Sequence, residues 1–522
     1  MSSTSASQGD GAYYVPNSIS FFTRRMRFSK NRVRLQSLST DSVKPNGQII
    51  VRLPSNTLLN MHSLSMSGSF RASTTGGDVT TGVANPTNID LAIYESLSVI
   101  SNGGVVNQPY LNYSTAAFIC NDCAGGQDSV KKRSALQHSI PQPLIKSDNS
   151  AGGEVLTGYV PFVNANMMSP LSTCQPQYIS SSLLGDLEVR MVMKGSDIVS
   201  VGDLEGGAAV AGARGTWDIK NIQFFIETAS VDSTILDNAI SDHLQSGQPV
   251  VIPFQNIFSF SQTNLSANFS HRFSVSSNCI DKIIATTQLT DDLNRPSNDV
   301  PIINGIPSVE RRNYNGARSS QFSVNNIYSP SYQISSELVD GTDWAKTVAG
   351  DAVVGAKDYS ASNALLETRC AMDIEDYNYE CVDALCTKTQ PMFEMFGGGV
   401  FTQGAQNVIR QVQPASDALV IVDPLAPGDD PSRNPNTRWQ PYEYESAIDT
   451  YLNNKYVVAT SFDMGATPDS DRCASGLNSL GSNSQFFWNS VGDGGQANVS
   501  KVYVVCTSQI EVYQGSSLSI IQ

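Results

Sequence analysis

Two stretches of the chain begin alike, Gly47-Gln48-Ile49-Ile50-Val51-Arg52-Leu53-Pro54 and Gly247-Gln248-Pro249-Val250-Val251-Ile252-Pro253-Phe254. Each opens a run of short β-like segments that are separated by Ser, Asn, Gly and Pro, the residues that favour turns. The recurrence indicates that one β-architecture is used twice in a single chain.

Length and composition limit the fold class. A chain of 522 residues is longer than one hydrophobic core usually serves and favours two large domains. Hydrophobic residues make up 40% and charged residues 16% of the chain, so it has apolar surface for two cores but is poor in the residues that favour long helices. We therefore expect an all-β protein, two antiparallel sandwiches in tandem, with short helices and long loops.

The periodicity of apolar residues divides the chain into segments. Alternation with a period of two starts at Gln48 and recurs as far as the strand Val502–Tyr513, whereas residues 230–245 have helical spacing with Gly247 just beyond. We predict an N-terminal arm at 1–45, a first sandwich at 46–228, a connecting helix at 229–248 and a second sandwich with long loop insertions at 249–522.

Local signals add detail to these segments. We predict further helices near 108–120 and 360–371, a β-bulge at Lys220-Asn221, and turns at Asn102-Gly103-Gly104 and Asn325-Asn326. Stretches rich in Gly, Pro, Asn and Asp, roughly 283–320, 388–440 and 464–500, are expected to be irregular and to make contacts.

Positive charge is concentrated in the arm. The formal net charge is −15, yet residues 1–45 carry seven Lys or Arg against Asp10 and Asp41. The candidate contact residues of the arm are Arg24, Arg25, Arg27, Lys30, Arg32 and Arg34. Because the acidic body would repel polyanions, contact with DNA would have to come from the arm. Phe21, Phe22, Met26 and Phe28 also favour the alternative, a tail docked on protein.

Residues for catalysis or for a bound cofactor or metal do not form a motif. The chain has no GxSxG, HExxH or Walker-type sequence, and its four histidines are isolated. Cys120-Asn121-Asp122-Cys123 lacks a second pair at zinc-site spacing, and the nine cysteines form no regular framework, which favours free thiols in a reducing compartment. We expect no enzyme activity and no cofactor.

Five stretches, in order, resemble segments of one family: Glu95–Gly104, Tyr178–Val189, Ile219–Glu227, Gln321–Pro330 and Ser475–Asn483. The chain is similar in these stretches to the double jelly-roll major capsid proteins of polinton-like viruses and virophages and, more distantly, to adenovirus hexon. The arm matches no specific part of this family.

The resemblance implies that three copies form a pseudo-hexameric capsomer, and that capsomers tile an icosahedral shell around a DNA genome. It implies neighbouring capsomers, penton and minor capsid proteins as partners, and a virion location after synthesis in the host cytoplasm. For the arm, which the resemblance does not cover, our own hypothesis is a position on the inner surface, where its Arg residues meet neighbouring proteins or packaged DNA. A host receptor for the outer loops is left open. The alternatives are a carbohydrate-binding or adhesin-like β-sandwich and, third, a jelly-roll glycosidase.

Overall fold

The computed structural model describes residues 29–39, 41–75, 81–86, 89–101, 104–105, 110–123, 145–146, 155–156, 158–165, 167–174, 177–203, 214–230, 233–290, 311–335, 410–413, 418–421, 455–462, 476–481, 484–492, 494–513 and 517–521. Within these ranges the chain is built almost entirely from antiparallel strands with four short helices. The predicted all-β class is confirmed.

The described residues of the first half form fifteen strands, most of them short. They are β1 (Ser29–Leu35), β2 (Ser42–Val43), β3 (Gln48–Arg52), β4 (Leu58–Thr75), β5 (Thr81–Ala84), β6 (Tyr94–Ser101), β7 (Gly104–Val105), β8 (Tyr110–Leu111), β9 (Ile145–Lys146), β10 (Val155–Leu156), β11 (Val160–Asn164), β12 (Ile179–Ser180), β13 (Leu187–Met193), β14 (Ser200–Asp203) and β15 (Arg214–Ser230).

The second half contains the remaining strands. They are β16 (Val250–Asn264), β17 (Phe269–Phe273), β18 (Ile280–Leu289), β19 (Ala317–Val324), β20 (Ile327–Ser335), β21 (Arg410–Gln413), β22 (Ala418–Ile421), β23 (Val458–Ser461), β24 (Phe486–Gly492), β25 (Asn498–Tyr513) and β26 (Ser517–Ile521). The helices are α1 (Ile89–Ala92), α2 (Tyr113–Cys123), α3 (Ser181–Leu184) and α4 (Ser233–Gln245), with 3-10 turns at Pro170–Thr173 and Ser196–Ile198.

Both halves have the same strand order. In the first, sheet 1a runs β1-β15-β4, and β10, β11 and β12 each pair with β4. Sheet 1b runs β3-β13-β6, with β7 and β8 both on β6. In the second, sheet 2a runs β16-β25-β18-β23 and sheet 2b runs β17-β24-β19-β20. We number the eight principal strands of each half in chain order, which are β1, β3, β4, β6, β7, β11, β13 and β15 in the first half and β16, β17, β18, β19, β20, β23, β24 and β25 in the second. With this numbering, each sandwich pairs strands 1-8-3-6 and 2-7-4-5, the arrangement of a jelly roll. Two tandem jelly rolls, predicted from the sequence, are confirmed by the pairing.

The two stretches that suggested the duplication are not equivalent strands. Gln48–Arg52 is the second strand of jelly roll 1, whereas Val250–Asn264 is the first strand of jelly roll 2. The true counterpart of β16 is β1, which pairs with β15 from Ser29↔Ser230 to Leu35↔Phe224. The assignment of all of residues 1–45 to an arm outside the core was therefore wrong for Ser29–Leu35, because this segment is an edge strand of sheet 1a.

The local predictions fare differently. Sheet 1a is bulged between Lys220 and Gln223, with Asn221 at φ 56°, and Asn325 and Asn326 take left-handed φ values of 50° and 68° between β19 and β20. The helix expected near 108–120 is α2, shifted towards the C-terminus, and the connecting helix is α4. The helix expected at 360–371, residues Asn102 and Gly103, and most of 388–440 lie outside the described residues.

Two stretches expected to be irregular contain strands. The first, 283–320, holds most of β18 and the start of β19, and the second, 464–500, holds β24. Three serines and a glutamine surround the single apolar residue of Ser319–Ser323 and mask its alternation, while tertiary pairing with β24 and β20 fixes this strand.

Glycine at position 247 ends the connecting helix. Its N–H donates to the Leu244 carbonyl at 3.1 Å, and its φ of +81° is a left-handed conformation that a residue without Cβ adopts without strain. The chain then enters β16 directly.

The cores of the two jelly rolls meet. The cluster of jelly roll 1 includes Ile252, Phe254, Ile510 and Val512 from the ends of β16 and β25. Conversely, the cluster of jelly roll 2 includes Ala116 and Ile119 of α2. The halves are therefore held by shared apolar burial and not only by the connecting helix.

Candidate assembly surfaces

The outer face of sheet 2a is covered by jelly roll 1. The covering segment is Tyr110–Cys123, formed by β8 and α2, which follows strand 5 of that jelly roll. Tyr110 donates a hydrogen bond to the carbonyl of Gln255 at 2.9 Å, and Asn112 Nδ2 donates to Ser259 Oγ at 3.3 Å. Both acceptors lie on β16, so the contact starts at the edge of sheet 2a.

The same segment continues across β25. Tyr503 Oη donates to the carbonyl of Asn112 at 3.2 Å, and Lys501 Nζ donates to Thr115 Oγ1 at 3.0 Å. Tyr503 is 2% exposed and Lys501 is 6% exposed, although both point away from the sandwich interior that Val502 and Val504 fill. Residues of β25 from Ser500 to Cys506 are consequently buried on both faces.

The corresponding face of sheet 1a, across β1, β15 and β4, has a different surface. Phe224 and Ile226 of β15 are fully buried, whereas the alternate residues Phe225 and Glu227 are half-buried. On β1, opposite Phe225 and Glu227, lie Arg34 and Arg32, which are exposed. Strand β15 is therefore buried on one face only.

Cations and aromatic rings are interleaved at one end of this face. The guanidinium of Arg32 lies 5.1 Å from the centre of the Phe225 ring and donates to Ser65 Oγ at 3.1 Å. Lys30 Nζ is 3.3 Å from Glu227 Oε1 and 5.4 Å from the centre of the Tyr178 ring. Such contacts fix long side chains on the surface with their charges towards solvent.

A second cluster of the same kind lies farther along sheet 1a. Arg71 Nε is 2.9 Å from Asp218 Oδ1, and its guanidinium is 4.6 Å from the centre of the Tyr159 ring. Lys220 Nζ lies 4.9 Å from the same ring, and Tyr159 Oη donates to Asp218 Oδ2 at 2.5 Å. This cluster extends the charged and aromatic surface across β15 and β4.

The charges at Lys30 and Glu227 support each other. A hydrogen bond from Tyr178, and then the neighbouring Lys30, lower the pKa of the Glu227 carboxyl. Hydrogen bonds with Tyr178 and Glu227 raise the pKa of Lys30. Both groups are therefore charged near neutral pH.

The predicted arm residues are divided by these findings. Arg24, Arg25 and Arg27 lie outside the described residues. The other three, Lys30, Arg32 and Arg34, alternate along β1 on the outer face of sheet 1a. They are thus fixed on a sheet and not carried on a free tail.

The buried polar groups of jelly roll 2 do not resemble a catalytic site. Ser500 Oγ and His271 Nδ1 are 2.8 Å apart, but these residues are 0% and 2% exposed, and Asn264 donates to the same serine at 3.0 Å. Burial lowers the pKa of His271 to about 4. The pair therefore belongs to a structural network in the sandwich.

Thiols and tryptophans of the described core are also structural. Cys120, Cys174, Cys279 and Cys506 carry free thiols, and burial raises the pKa of Cys506 to about 12, which disfavours a reactive thiolate. Trp217 and Trp488 are 1% and 0% exposed, so neither offers a ring for stacking on a sugar. Across the described ranges, no three His, Cys, Asp or Glu residues are grouped as metal ligands would be, and no helix there is long and apolar enough to cross a bilayer.

The chain resembles viral capsid proteins of known structure. The Faustovirus major capsid protein matches with a TM-score of 0.48 at 9% identity, covering 96% of this chain and 92% of its own. PBCV-1 Vp54 matches with a TM-score of 0.45 at 9% identity over 95% and 97% of the two chains. The mavirus major capsid protein matches with a TM-score of 0.42 at 11% identity over 94% and 89%.

No protein-family model matches the sequence, and no curated protein matches it. The two-jelly-roll fold itself is established by the strand pairing described above and does not depend on the structural likenesses.

Several residues of these surfaces were not singled out from the sequence. Tyr110, Asn112, Thr115 and Tyr503 join the jelly rolls, and Phe225 supports Arg32. The sequence does contain one signal for the contact between Tyr110–Cys123 and sheet 2a. Val502-Tyr503-Val504-Val505-Cys506 is apolar at consecutive positions, as expected of a strand that is covered on both faces.

Proposed function

We propose that this chain is a viral major capsid protein that assembles as pseudo-hexameric homotrimers, and that these capsomers tile an icosahedral shell around a DNA genome. The carrying observation is that two jelly rolls with identical strand order are joined inside one chain by a buried contact. Three such chains around a threefold axis supply six similar units, so one gene product can fill a hexagonal position with closed symmetry.

Other features fit a shell subunit without chemistry. The acidic body, with a net charge of −15 for the whole chain, would keep capsomers soluble before assembly. The described free thiols are compatible with synthesis in the reducing host cytoplasm followed by a virion location. Neighbouring capsomers, penton proteins and minor capsid proteins are the partners that such a shell requires.

The basic segment before β1 is part of the proposal. We infer that residues 1–28, which include Arg24, Arg25 and Arg27, lie on the inner surface of the shell and contact neighbouring proteins or packaged DNA. Arg residues suit both roles, because the guanidinium pairs with carboxylates and with phosphates.

The oligomeric state tests the assembly function. Size-exclusion chromatography with light scattering should give a mass three times 56.1 kDa, and negative-stain images should show hexagonal particles with a threefold axis. A monomer at all concentrations, or a monomer that binds a glycan column, would contradict the capsid proposal.

Two deletions separate the inner segment from the fold. Removing residues 1–28 should leave trimers intact and impair only shell closure. Removing residues 1–45 also removes β1, the buried Val43 and the packing of the partly buried Leu35 against the core, and should destabilise jelly roll 1. Loss of folding on removal of residues 1–28 would place that segment in the core instead.

A further inference from the structure

We propose that the outer face of sheet 1a binds jelly roll 2 of a second copy of this chain. The proposal rests on the trimer inferred above and names the surface through which neighbouring subunits meet. We define this surface by Lys30, Arg32 and Arg34 of β1, Phe225 and Glu227 of β15, and Arg71, Asp218, Lys220 and Tyr159 farther along, and call it the cationic face.

The first argument is the contact already made inside the chain. There, the connection between strands 5 and 6 of jelly roll 1 supplies Tyr110–Cys123, which bonds to strands 1 and 8 of sheet 2a and shares an apolar cluster with Ile283 and Ile284 of strand 3. If three chains form six similar units, the same contact repeats around the ring. The connection between strands 5 and 6 of jelly roll 2 would then cover strands 1, 8 and 3 of sheet 1a in the next subunit, a head-to-tail contact that closes after three copies.

The strand registers show that the two faces correspond. In sheet 2a, Tyr503 of strand 8 lies between Ser259 of strand 1 and Ile284 of strand 3. In sheet 1a, Phe225 of strand 8 lies between Arg34 of strand 1 and Ser65 of strand 3. Both faces therefore present an aromatic ring at the centre of a three-strand row, and among the described residues the ring of sheet 2a is covered whereas that of sheet 1a is half-buried.

The second argument is charge. The cationic face presents five cations, Lys30, Arg32, Arg34, Arg71 and Lys220, against the two carboxylates Asp218 and Glu227. The connection between β20 and β23, residues 336–457, has 19 Asp and Glu against 8 Lys and Arg in its sequence. Opposite potentials favour this pairing and disfavour contact between two cationic faces.

The cationic face also has the composition of a contact surface. Tyr159 is 38% exposed, and Val163 on the neighbouring strand β11 is 41% exposed. The guanidinium of Arg32 packs over the Phe225 ring. Tyr and Arg are the residues that most often contribute strongly to binding energy at interfaces. An acidic partner can therefore gain both charge pairing and apolar burial here.

Charge reversal on β1 tests the surface in the full chain. Arg32→Glu with Arg34→Glu should raise the protein concentration at which trimers half-dissociate at least tenfold, measured by light scattering and analytical ultracentrifugation. The matched control is Arg52→Glu with Arg272→Glu, an equal change of charge on exposed positions of sheets 1b and 2b; it should dissociate as the wild type does. Thermal unfolding of both variants checks that each is folded.

The outcomes distinguish this surface from the assembly function. A wild-type protein that never forms trimers overturns the capsid proposal and this proposal with it. A trimeric wild type whose Arg32→Glu, Arg34→Glu variant is equally trimeric overturns only the cationic face as the contact. Equal weakening of the control variant would also overturn it, since the effect would then come from net charge.

Zero-length cross-linking gives a readout that does not depend on a variant. A carbodiimide applied to a mixture of isotopically light and heavy wild-type protein should link Lys220 or Lys30 to carboxylates within 336–457 of the other copy. Links from these lysines to jelly roll 1 of the other copy, or to their own chain alone, would contradict the proposal.

Discussion

The outer faces of sheets 1a and 2a occupy the same place in two jelly rolls of identical topology, yet their surfaces are opposite in character. Strand β25 is buried on both faces from Ser500 to Cys506 because α2 lies on it. Strand β15 alternates, and its outward side carries Phe225 and Glu227 beside the cations of β1, with Lys220 farther along the strand. The two jelly rolls thus share their strand order, but the outer face of sheet 2a is an internal contact of the chain and the outer face of sheet 1a is a surface.

The difference shows which constraint acts on each copy. A face that is covered within the chain must satisfy its polar groups from the covering segment, as Thr115 and Asn112 do for Lys501 and Tyr503. A face that must stay soluble in the free subunit needs charge instead. An uncharged outer face, as on sheet 2a, therefore indicates a contact made during folding. A charged outer face at the same place in the fold, as on sheet 1a, indicates a contact that can form only after folding.

The largest expected effect compares the two central rings. Tyr503→Ala should cost about 3–5 kcal/mol in free energy of unfolding, because it removes a buried ring from the contact between α2 and sheet 2a together with its hydrogen bond to Asn112. Phe225→Ala should cost about 1 kcal/mol in the free subunit, since this ring is only half-buried.

Urea unfolding of both variants at one low protein concentration measures the two costs. Subunit association would add to the cost of Phe225→Ala, so the concentration must lie below that of trimer formation. Similar losses for the two substitutions would show that the faces do not differ as their burial indicates.

An intermediate effect concerns pH and is confined to jelly roll 2. Burial lowers the pKa of His271 from 6.5 to about 4, so between these values the unfolded chain binds a proton that the folded chain does not. Stability should therefore fall as the pH drops through this window, by about 2 kcal/mol between pH 7 and pH 5.

Paired urea titrations at pH 7 and pH 5 detect this loss. In His271→Gln the difference between the two pH values should shrink by that amount, whatever the absolute stability of the variant. The control His62→Gln, which replaces an exposed histidine of β4, should keep the wild-type difference. An unchanged pH dependence in His271→Gln would show that His271 binds its proton equally well in the folded and unfolded chain.

Sequence patterns predicted the architecture better than the surfaces. Alternation identified strands such as Leu187–Met193, whose burial alternates along its whole length, and Asn325-Asn326 identified a hairpin. It failed at Ser29–Leu35, where Val33 and Leu35 alternate with Arg32 and Arg34, because the run of cations was interpreted as a solvated tail. Two alternating apolar residues are too few to identify a strand when all the residues between and beside them are charged.

The contact between α2 and sheet 2a could not be predicted from the sequence, for a different reason. Helix α2 was anticipated, but its place on sheet 2a depends on contacts between residues that are far apart in the chain, such as Thr115 and Lys501. The cationic face likewise combines β1, β4, β15 and Tyr159, which only the fold brings together. Linear spacing carries no information on such tertiary neighbours.

The smallest expected effect compares one carboxylate on each outer face. Glu227→Gln removes a negative charge from the cationic face. It should lower the protein concentration at which trimers half-dissociate by about twofold to fivefold, because an acidic partner would meet one repulsive charge fewer. Glu511→Gln removes a carboxylate from β25 outside the proposed contact and should leave dissociation unchanged.

Acid sharpens this last comparison. The pKa of Glu227 is lowered by Tyr178 and Lys30, so the stability that this carboxylate contributes is present above the unfolded value of 4.5 and is lost as the pH falls through the folded value. In Glu227→Gln that loss should be absent, and sedimentation at neutral pH should show the tighter trimer. Weaker trimers from Glu227→Gln would mean that its contact with Lys30 orders the cationic face more than its charge opposes the partner, and the surface would then bind by shape and not by charge.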